Sequence, residues 1–400
     1  MLAFGFLMKF RYICSKLQAI GCWLHSFIHT NAIFMKTLTF IFLFCYYFSC
    51  FVQAQVIVNE ATTEVVKATE FSIPSSPAFI MLDASPDRIT KPGLPRNFKV
   101  DWSLKSYSLS PNLALEAQPI WLLFFDRSPL SKYQKANGLV KMFSTISLSA
   151  GTVQRDTINW LAIAGKMNIY RSRDPLTDRE LLDSLNMVVG QDEELMQQQL
   201  ETLKKQNSKL KSKKDAESIK MQTQLNKSID SLKIELINKQ TLRKQTVRDL
   251  QQRYVRRHWN TSYLDVAYGK SYKYDKDSKL DSLVLLSERN SLWVSGSLGL
   301  GKNWLLSGMA QYNLTATSDN YMVGTNLRYS SGNNNYNFFA ELFREGYSQT
   351  PDLNTFTIAY GGDFKLGRNI LLSYAIRTVY TDKLHFKDVA PIANVICLMR

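Results

Sequence analysis

Two long stretches of this 400-residue chain alternate apolar and polar side chains with a period of two. In Tyr321–Tyr329 one face carries Tyr321, Val323, Thr325, Leu327 and Tyr329, the other Met322, Gly324, Asn326 and Arg328. Phe356–Leu366 sets Phe356, Ile358, Tyr360, Gly362, Phe364 and Leu366 against Thr357, Ala359, Gly361, Asp363 and Lys365. Ile370–Tyr380, Trp304–Tyr312 and Leu292–Leu300 alternate likewise. The pattern predicts eleven strands, at 98–107, 113–123, 139–149, 158–170, 261–272, 290–300, 303–313, 319–329, 335–345, 354–366 and 368–380. Soluble strands usually run about 5–6 residues, whereas these approach the roughly 9–11 that a tilted strand needs to cross a bilayer. An apolar face with aromatics toward its ends, backed by Gly, Ser, Asn and charges, suits lipid outside and a wet lumen inside. The competing reading, a soluble sandwich or lipocalin-like barrel with the apolar face inward, fits the strand lengths less well. In lipid an open sheet edge leaves backbone groups unpaired, so closure is compulsory. Bacterial single-chain barrels usually have even strand numbers. The expected fold is an all-β transmembrane barrel of about 12 antiparallel strands with an inserted helical hairpin or coiled-coil segment.

That insert is residues 178–257, where the period changes. Leu200, Leu203 and Leu210, then Leu225, Ile229, Leu232 and Leu236, then Val247 and Leu250 recur at helical spacing. They mark a coiled-coil-like seam, broken at Gly190 and interrupted by Asn207 and Lys214. The insert leaves one strand and must return to a neighbour about 5 Å away, so it folds back, within 208–218. The joins near Gly301-Lys302, Ser331–Asn334 and Gly367 are short, and the insert starts on their side of the membrane. Short turns are periplasmic in this class of barrel, which places the insert in the periplasm. It is either a solvated basic helix pair or a partner-binding arm.

The remaining zones are residues 55–97, a leader holding Pro74, Pro77, Pro86, Pro92 and Pro95; strands over 98–171 and 260–381; and an irregular tail, 382–400. Met35-Lys36, the apolar run Leu38–Val52 and the exit Val52-Gln53-Ala54 are the parts of a secretory signal peptide over 35–54. The run is too short to span as a helix, which needs about 20 residues. Residues 1–34 precede a complete signal and read as an over-extended gene start.

Composition sharpens this picture at three points. A mean hydropathy of −0.19 is too polar for a helical membrane protein, yet 12% of residues are aromatic. The net charge of +15 is local: residues 191–257 hold 16 Lys/Arg against 9 Asp/Glu. That concentration argues against a nucleic-acid partner; the expected partners are outer-membrane lipid and a periplasmic envelope component meeting residues 178–257. Four of five cysteines precede residue 55, leaving Cys397 alone, so no intramolecular disulfide or cysteine metal site is expected in the exported part.

Ser76-Pro77-Ala78-Phe79, then Ser85-Pro86 and Lys91-Pro92-Gly93, together with the signal peptide and alternating strands, resemble a group of outer-membrane β-barrel proteins of Gram-negative bacteria. The resemblance covers roughly residues 35–381 and implies location and fold, with no activity. Barrels of this class generally end on an aromatic residue, whereas this chain ends on Arg400. Pro391 cannot donate to a ladder. A truncated or frame-shifted C-terminus, or one that assembles poorly, is therefore expected.

The exported part has two histidines, His258 and His385, far apart in sequence. Neither sits in a nucleophile–base–orienter arrangement nor in a metal-ligand spacing, so no enzyme activity, cofactor or metal is expected. The charges that alternation turns inward are Lys99, Asp101, Glu116, Lys141, Asp265, Arg328, Glu341, Asp363, Lys365 and Arg377. They read either as a selective pore lining or as the mutually neutralising pairs of a plugged lumen. N-terminal sequencing of membrane-extracted protein is expected to begin at Gln55; retention of residues 1–34 would refute that processing.

Overall fold

The computed structural model describes residues 60–105, 112–155, 158–188, 192–210, 216–275, 285–315, 319–331, 335–367 and 369–399. The signal peptide and its cut after Ala54 lie outside the described residues. Apart from 137–139, the described residues belong to one compact unit.

Twelve strands close into one antiparallel barrel: β1 (Phe98–Lys105), β2 (Asn112–Ala117), β3 (Ser147–Arg155), β4 (Ile158–Arg171), β5 (Tyr263–Asp275), β6 (Leu285–Leu300), β7 (Trp304–Thr315), β8 (Asp319–Tyr329), β9 (Tyr336–Tyr347), β10 (Thr355–Lys365), β11 (Ile370–Thr381) and β12 (Phe386–Met399). Each strand pairs with the next, and β12 returns to β1 with Phe98 opposite Met399. Alternation sorts the side chains as lipid requires. Val323, Leu327, Leu342, Ile358 and Ile376 are exposed on the outer wall, while Ser295, Asn326, Arg328, Glu341, Asp363 and Arg377 are buried inside it. Aromatics mark both ends of the outer belt. Trp304, Tyr336 and Phe364 stand at one rim, Tyr312 and Tyr321 toward the other.

Two sequence expectations are corrected. First, residues 386–399 form the closing strand and not an irregular tail. Pro391 lies opposite Ile376 of β11 but beyond the last described β1 pair, Lys105–Ile392, so the ladder has a described partner on one flank only. Pro391 thus stands within a strand that pairs with β11, where the sequence suggested no regular element. Second, the strands expected at 113–123 and 139–149 are shorter, and three helices separate them: α3 (Pro119–Phe124), α4 (Leu130–Lys135) and α5 (Gly138–Ser144). Alternation stops at Ala117, and Ile120–Phe125 is continuously apolar, a run that periodicity cannot assign. Pro119 sits at the first turn of α3, where its missing N–H costs nothing. The proline-rich leader, for which the sequence offered only turn residues, folds into the protein. It carries α1 (Glu60–Lys67) and α2 (Pro77–Met81), and Ser75–Met81 are buried.

The insert comprises α6 (Arg179–Val188), α7 (Asp192–Leu210) and α8 (Ala216–His258). The returning helix α8 runs 43 residues, about 65 Å at helical rise. Asn207 Nδ2 donates to Asn226 Oδ1 at 2.6 Å across the hairpin. The fold-back expected within 208–218 falls largely outside the described residues, between the end of α7 at Leu210 and the start of α8 at Ala216.

Barrel closure is testable through the lone thiol of the described residues. Cys397 stands opposite Val100 across β12 and β1, and directly paired residues have Cα atoms about 4.5–5.5 Å apart, within disulfide reach. V100C is expected to form a β1–β12 disulfide on oxidation, seen as a reducible shift of the denatured band; failure to cross-link would refute this register.

Candidate functional site

A barrel this size needs something in its lumen, either water or protein, and here it is protein. The leader between Phe71 and Arg96 enters the barrel as a hairpin. Both of its ends stay at the arm-side mouth: Arg96 pairs with Glu70 at 3.4 Å and with Asp174, just after β4, at 3.2 Å. Deeper in, Arg289 of β6 donates to the Met81 carbonyl and Ser103 of β1 to that of Ala84. The hairpin tip, 81–85, therefore approaches the far end.

Two walls receive the hairpin, and they differ in chemistry. Ala78, Phe79, Ile80, Met81, Leu82 and Ile89 are buried against Ala114, Val153, Ala162, Ala164, Ala267, Trp293, Met309, Met322 and Phe343 of the barrel interior. Small residues make the room. A Cβ at Gly151 would lie 3.1 Å from that of Ala78, and one at Gly269 would lie 2.7 Å from Met81 Sδ. Pro77 opens the short α2 without loss of a needed donor. The Ala78 N–H then donates to Ser149 Oγ at 2.9 Å, and the Ser76 N–H to Asp101 Oδ2 at 2.8 Å.

The other wall is ionic. Arg328 Nη2 lies 2.5 Å from Asp87 Oδ2 of the leader, and its Nη1 lies 2.9 Å from Asp363 Oδ2. Lys91 Nζ completes the group at 2.8 Å from Asp363 Oδ1. Glu341 accepts the Arg88 and Ile89 N–H groups at 2.9 and 3.0 Å, one on each carboxylate oxygen. Arg377 pairs with Asp83 and also donates to the Ser85 carbonyl. Burying such charges costs several kcal/mol per ion unless partners are well placed. Here the leader supplies those partners for Arg328, Glu341, Asp363 and Arg377.

Lys365, also expected to face inward, is not part of the cluster. It stands exposed at the end of β10 and donates its N–H to Asn335. Lys141 is also corrected: it lies on α5, donating to the Gln134 carbonyl at 3.0 Å. Lys99, Asp101 and Glu116 pair within the wall, with Lys99 Nζ 2.5 Å from Glu116 and also donating to the Pro74 carbonyl at 2.6 Å. Asp265 faces Lys166 at 3.5 Å, a partner that sequence reading missed. The leader's own Asp83, Asp87, Arg88 and Lys91 were missed too. The signal was present, since a turn-rich segment seldom carries alternating charges beside an apolar Ala-Phe-Ile-Met run unless both are to be covered.

At the mouth, the arm's base grips the neck of the hairpin. Val66 and Phe71 pack with Trp121, Phe125, Leu181, Leu185, Val247 and Tyr254. Gln251 of α8 donates to Thr69 Oγ1 at 3.0 Å. Arg171 at the end of β4 pairs with Glu70 and covers the Phe71 ring at 4.9 Å. Asp178 sits where α6 meets α8. Burial alone pushes its carboxyl up, but donation from Tyr254 at 2.7 Å and pairing with Arg173 at 3.0 Å outweigh it and hold the carboxyl below its ordinary value. His258 packs on Tyr254 with Glu180 at 3.7 Å, while His385 lies in the turn between β11 and β12 at the opposite end.

No family model and no curated protein matches the sequence. Among solved structures the chain is similar to the KdgM porin, with a TM-score of 0.35 and 7% identity over 76% of this chain and 99% of the porin. The translocator domain of the autotransporter NalP from Neisseria meningitidis gives 0.28 and 7% over 76% and 88%. The Acinetobacter baumannii outer membrane protein Omp33 gives 0.28 and 7% over 76% and 98%. These likenesses are loose. The strand pairing and the outer belt themselves make this chain a bilayer-spanning barrel of the outer-membrane type.

Removing one partner of a buried pair leaves an uncompensated charge and typically costs about 3–5 kcal/mol. R328M, which strands Asp87 while Lys91 still serves Asp363, is expected to destabilise the barrel by about that amount. The check is a lower midpoint for loss of the compact band in heat-modifiability gels, with faster proteolysis of the leader. An unchanged midpoint would contradict the ion-pair geometry.

Proposed function

We propose that the protein is a plugged outer-membrane barrel whose working part is the helical arm, held at the periplasmic face to meet other envelope components. The observation that carries this reading is the apolar lumen wall. A water-filled channel is lined by polar groups, whereas Trp293, Met309, Met322 and Phe343 face the lumen and are covered by the leader. The proposed role is non-catalytic and needs no cofactor. Arm-side joins such as 301–303 and 366–369 are short, as periplasmic turns are, and the leader neck lies at the same mouth. The arm's excess of lysine and arginine suits an acidic envelope component, and nothing in the barrel recommends nucleic acid.

A second reading, a substrate-specific or passive channel, has one observation in its favour. The hairpin enters and leaves by the same mouth, so it can withdraw without threading. Withdrawal would expose Arg328, Glu341, Asp363 and Arg377 as a charged lining.

Planar-bilayer recording separates the two. The intact chain is expected to be silent, and a variant lacking residues 73–93 to show steady ohmic conductance. Steady conductance from the intact chain, abolished by tethering an A78C/S149C pair, would instead establish a channel gated by its leader.

A further inference from the structure

Helices α3 to α5 present an apolar surface that packing inside the protein does not use. Trp121 and Phe125 face inward, stacked on each other and edge-on to Tyr133. On the opposite side Leu123 is 78% exposed, Phe124 55% and Phe143 45%. Arg127, Lys132 and Lys135 are exposed beside them, and residues 118–146 contain one acid, Asp126.

The segment fills a step in the rim. β3 begins at Ser147, opposite Lys166, but β4 runs on to Arg171. The Asn168 N–H on that overhang donates to Thr145 Oγ1 at 3.0 Å, which fixes the end of the helical segment level with it. Tyr170 and Leu264, paired across β4 and β5 at the same level, are exposed on the outer wall. The apolar surface is therefore continuous with the lipid-facing belt. It also extends that belt. Phe98, Tyr170, Trp304, Tyr336 and Phe364 supply exposed aromatics at the arm-side rim, but β2 and β3 contain none. Phe124 and Phe143 stand in the gap.

We propose that residues 118–146 form an interfacial seat, lying in the headgroup region of the arm-side leaflet with Leu123, Phe124 and Phe143 in the acyl boundary. Basic residues flanking an apolar face suit anionic phospholipid headgroups. The seat rests on the reading of the barrel as bilayer-spanning. It ties the base of the arm to the membrane surface, because Tyr133 on its inner side donates to Asp174 at 2.9 Å, immediately before α6.

Site-directed nitroxides test this in the full-length chain with native cysteines replaced by serine. Labels at L123C and F143C are read in vesicles of phosphatidylcholine with phosphatidylglycerol, comparing collision with oxygen and with a water-soluble nickel chelate. L148C on the lipid-facing wall and M187C on the exposed arm are references. Heat-modifiable mobility of each labelled protein confirms folding. The expected result is that both seat labels match Leu148, favouring oxygen several-fold. Labels that match Met187 would overturn the seat, and would do so equally if another protein covers this face in the cell. An aqueous reading at Leu148 would overturn the bilayer-spanning barrel as well.

Discussion

Every peptide group that faces hydrocarbon must find its partner within the protein, because no water is there to replace it. That constraint forces β12 onto β1 and makes the last strand a structural necessity despite Pro391. It also fixes the alternation of every strand, since closure gives the sheet one wet face and one greasy face with no edge between them. The helical arm is free of this rule. It satisfies its backbone internally and can project about 65 Å from the barrel without a sheet to join.

Closing the sheet creates a second problem inside it. The lumen faces carry Arg328, Glu341, Asp363 and Arg377, and ions removed from bulk water need partners at short range. The hairpin answers this with Asp87, Lys91, Asp83 and the backbone donors of Arg88 and Ile89. Its Phe79, Ile80 and Met81 then fill the apolar remainder. Polar pairing sets where the hairpin sits, and apolar fit against Gly151 and Gly269 sets how closely.

Period-two patterning was enough to make the barrel legible from Tyr263 to Thr381, where each strand alternates over many residues against two neighbours. It failed where the pattern is short. Alternation in β2 covers Asn112–Ala117 and then passes into an apolar run shared by helices and buried strands alike. It failed again at β12, where Pro391, which has no N–H for the ladder, nevertheless stands within a strand. The inward charges were legible one strand at a time. Their partners were not, because Asp83 and Arg377 are 294 positions apart and no local period connects them. Lys365 and Lys141 were misplaced for the same reason, each at the margin of an element whose end decides its surroundings.

The separation between the hairpin and its partners has a kinetic side. Loop-closure entropy must be met before non-local contacts reward it, which slows folds rich in such contacts. The hairpin precedes every strand in the chain, yet Glu341, Asp363 and Arg377 arrive with β9, β10 and β11. Its contacts with those three residues cannot form until β9, β10 and β11 are in place. The leader must therefore wait at the arm-side mouth, its apolar run sheltered elsewhere, while the wall that will receive it is assembled. A segment that looks like the start of the protein is, in the order of folding, among its last pieces.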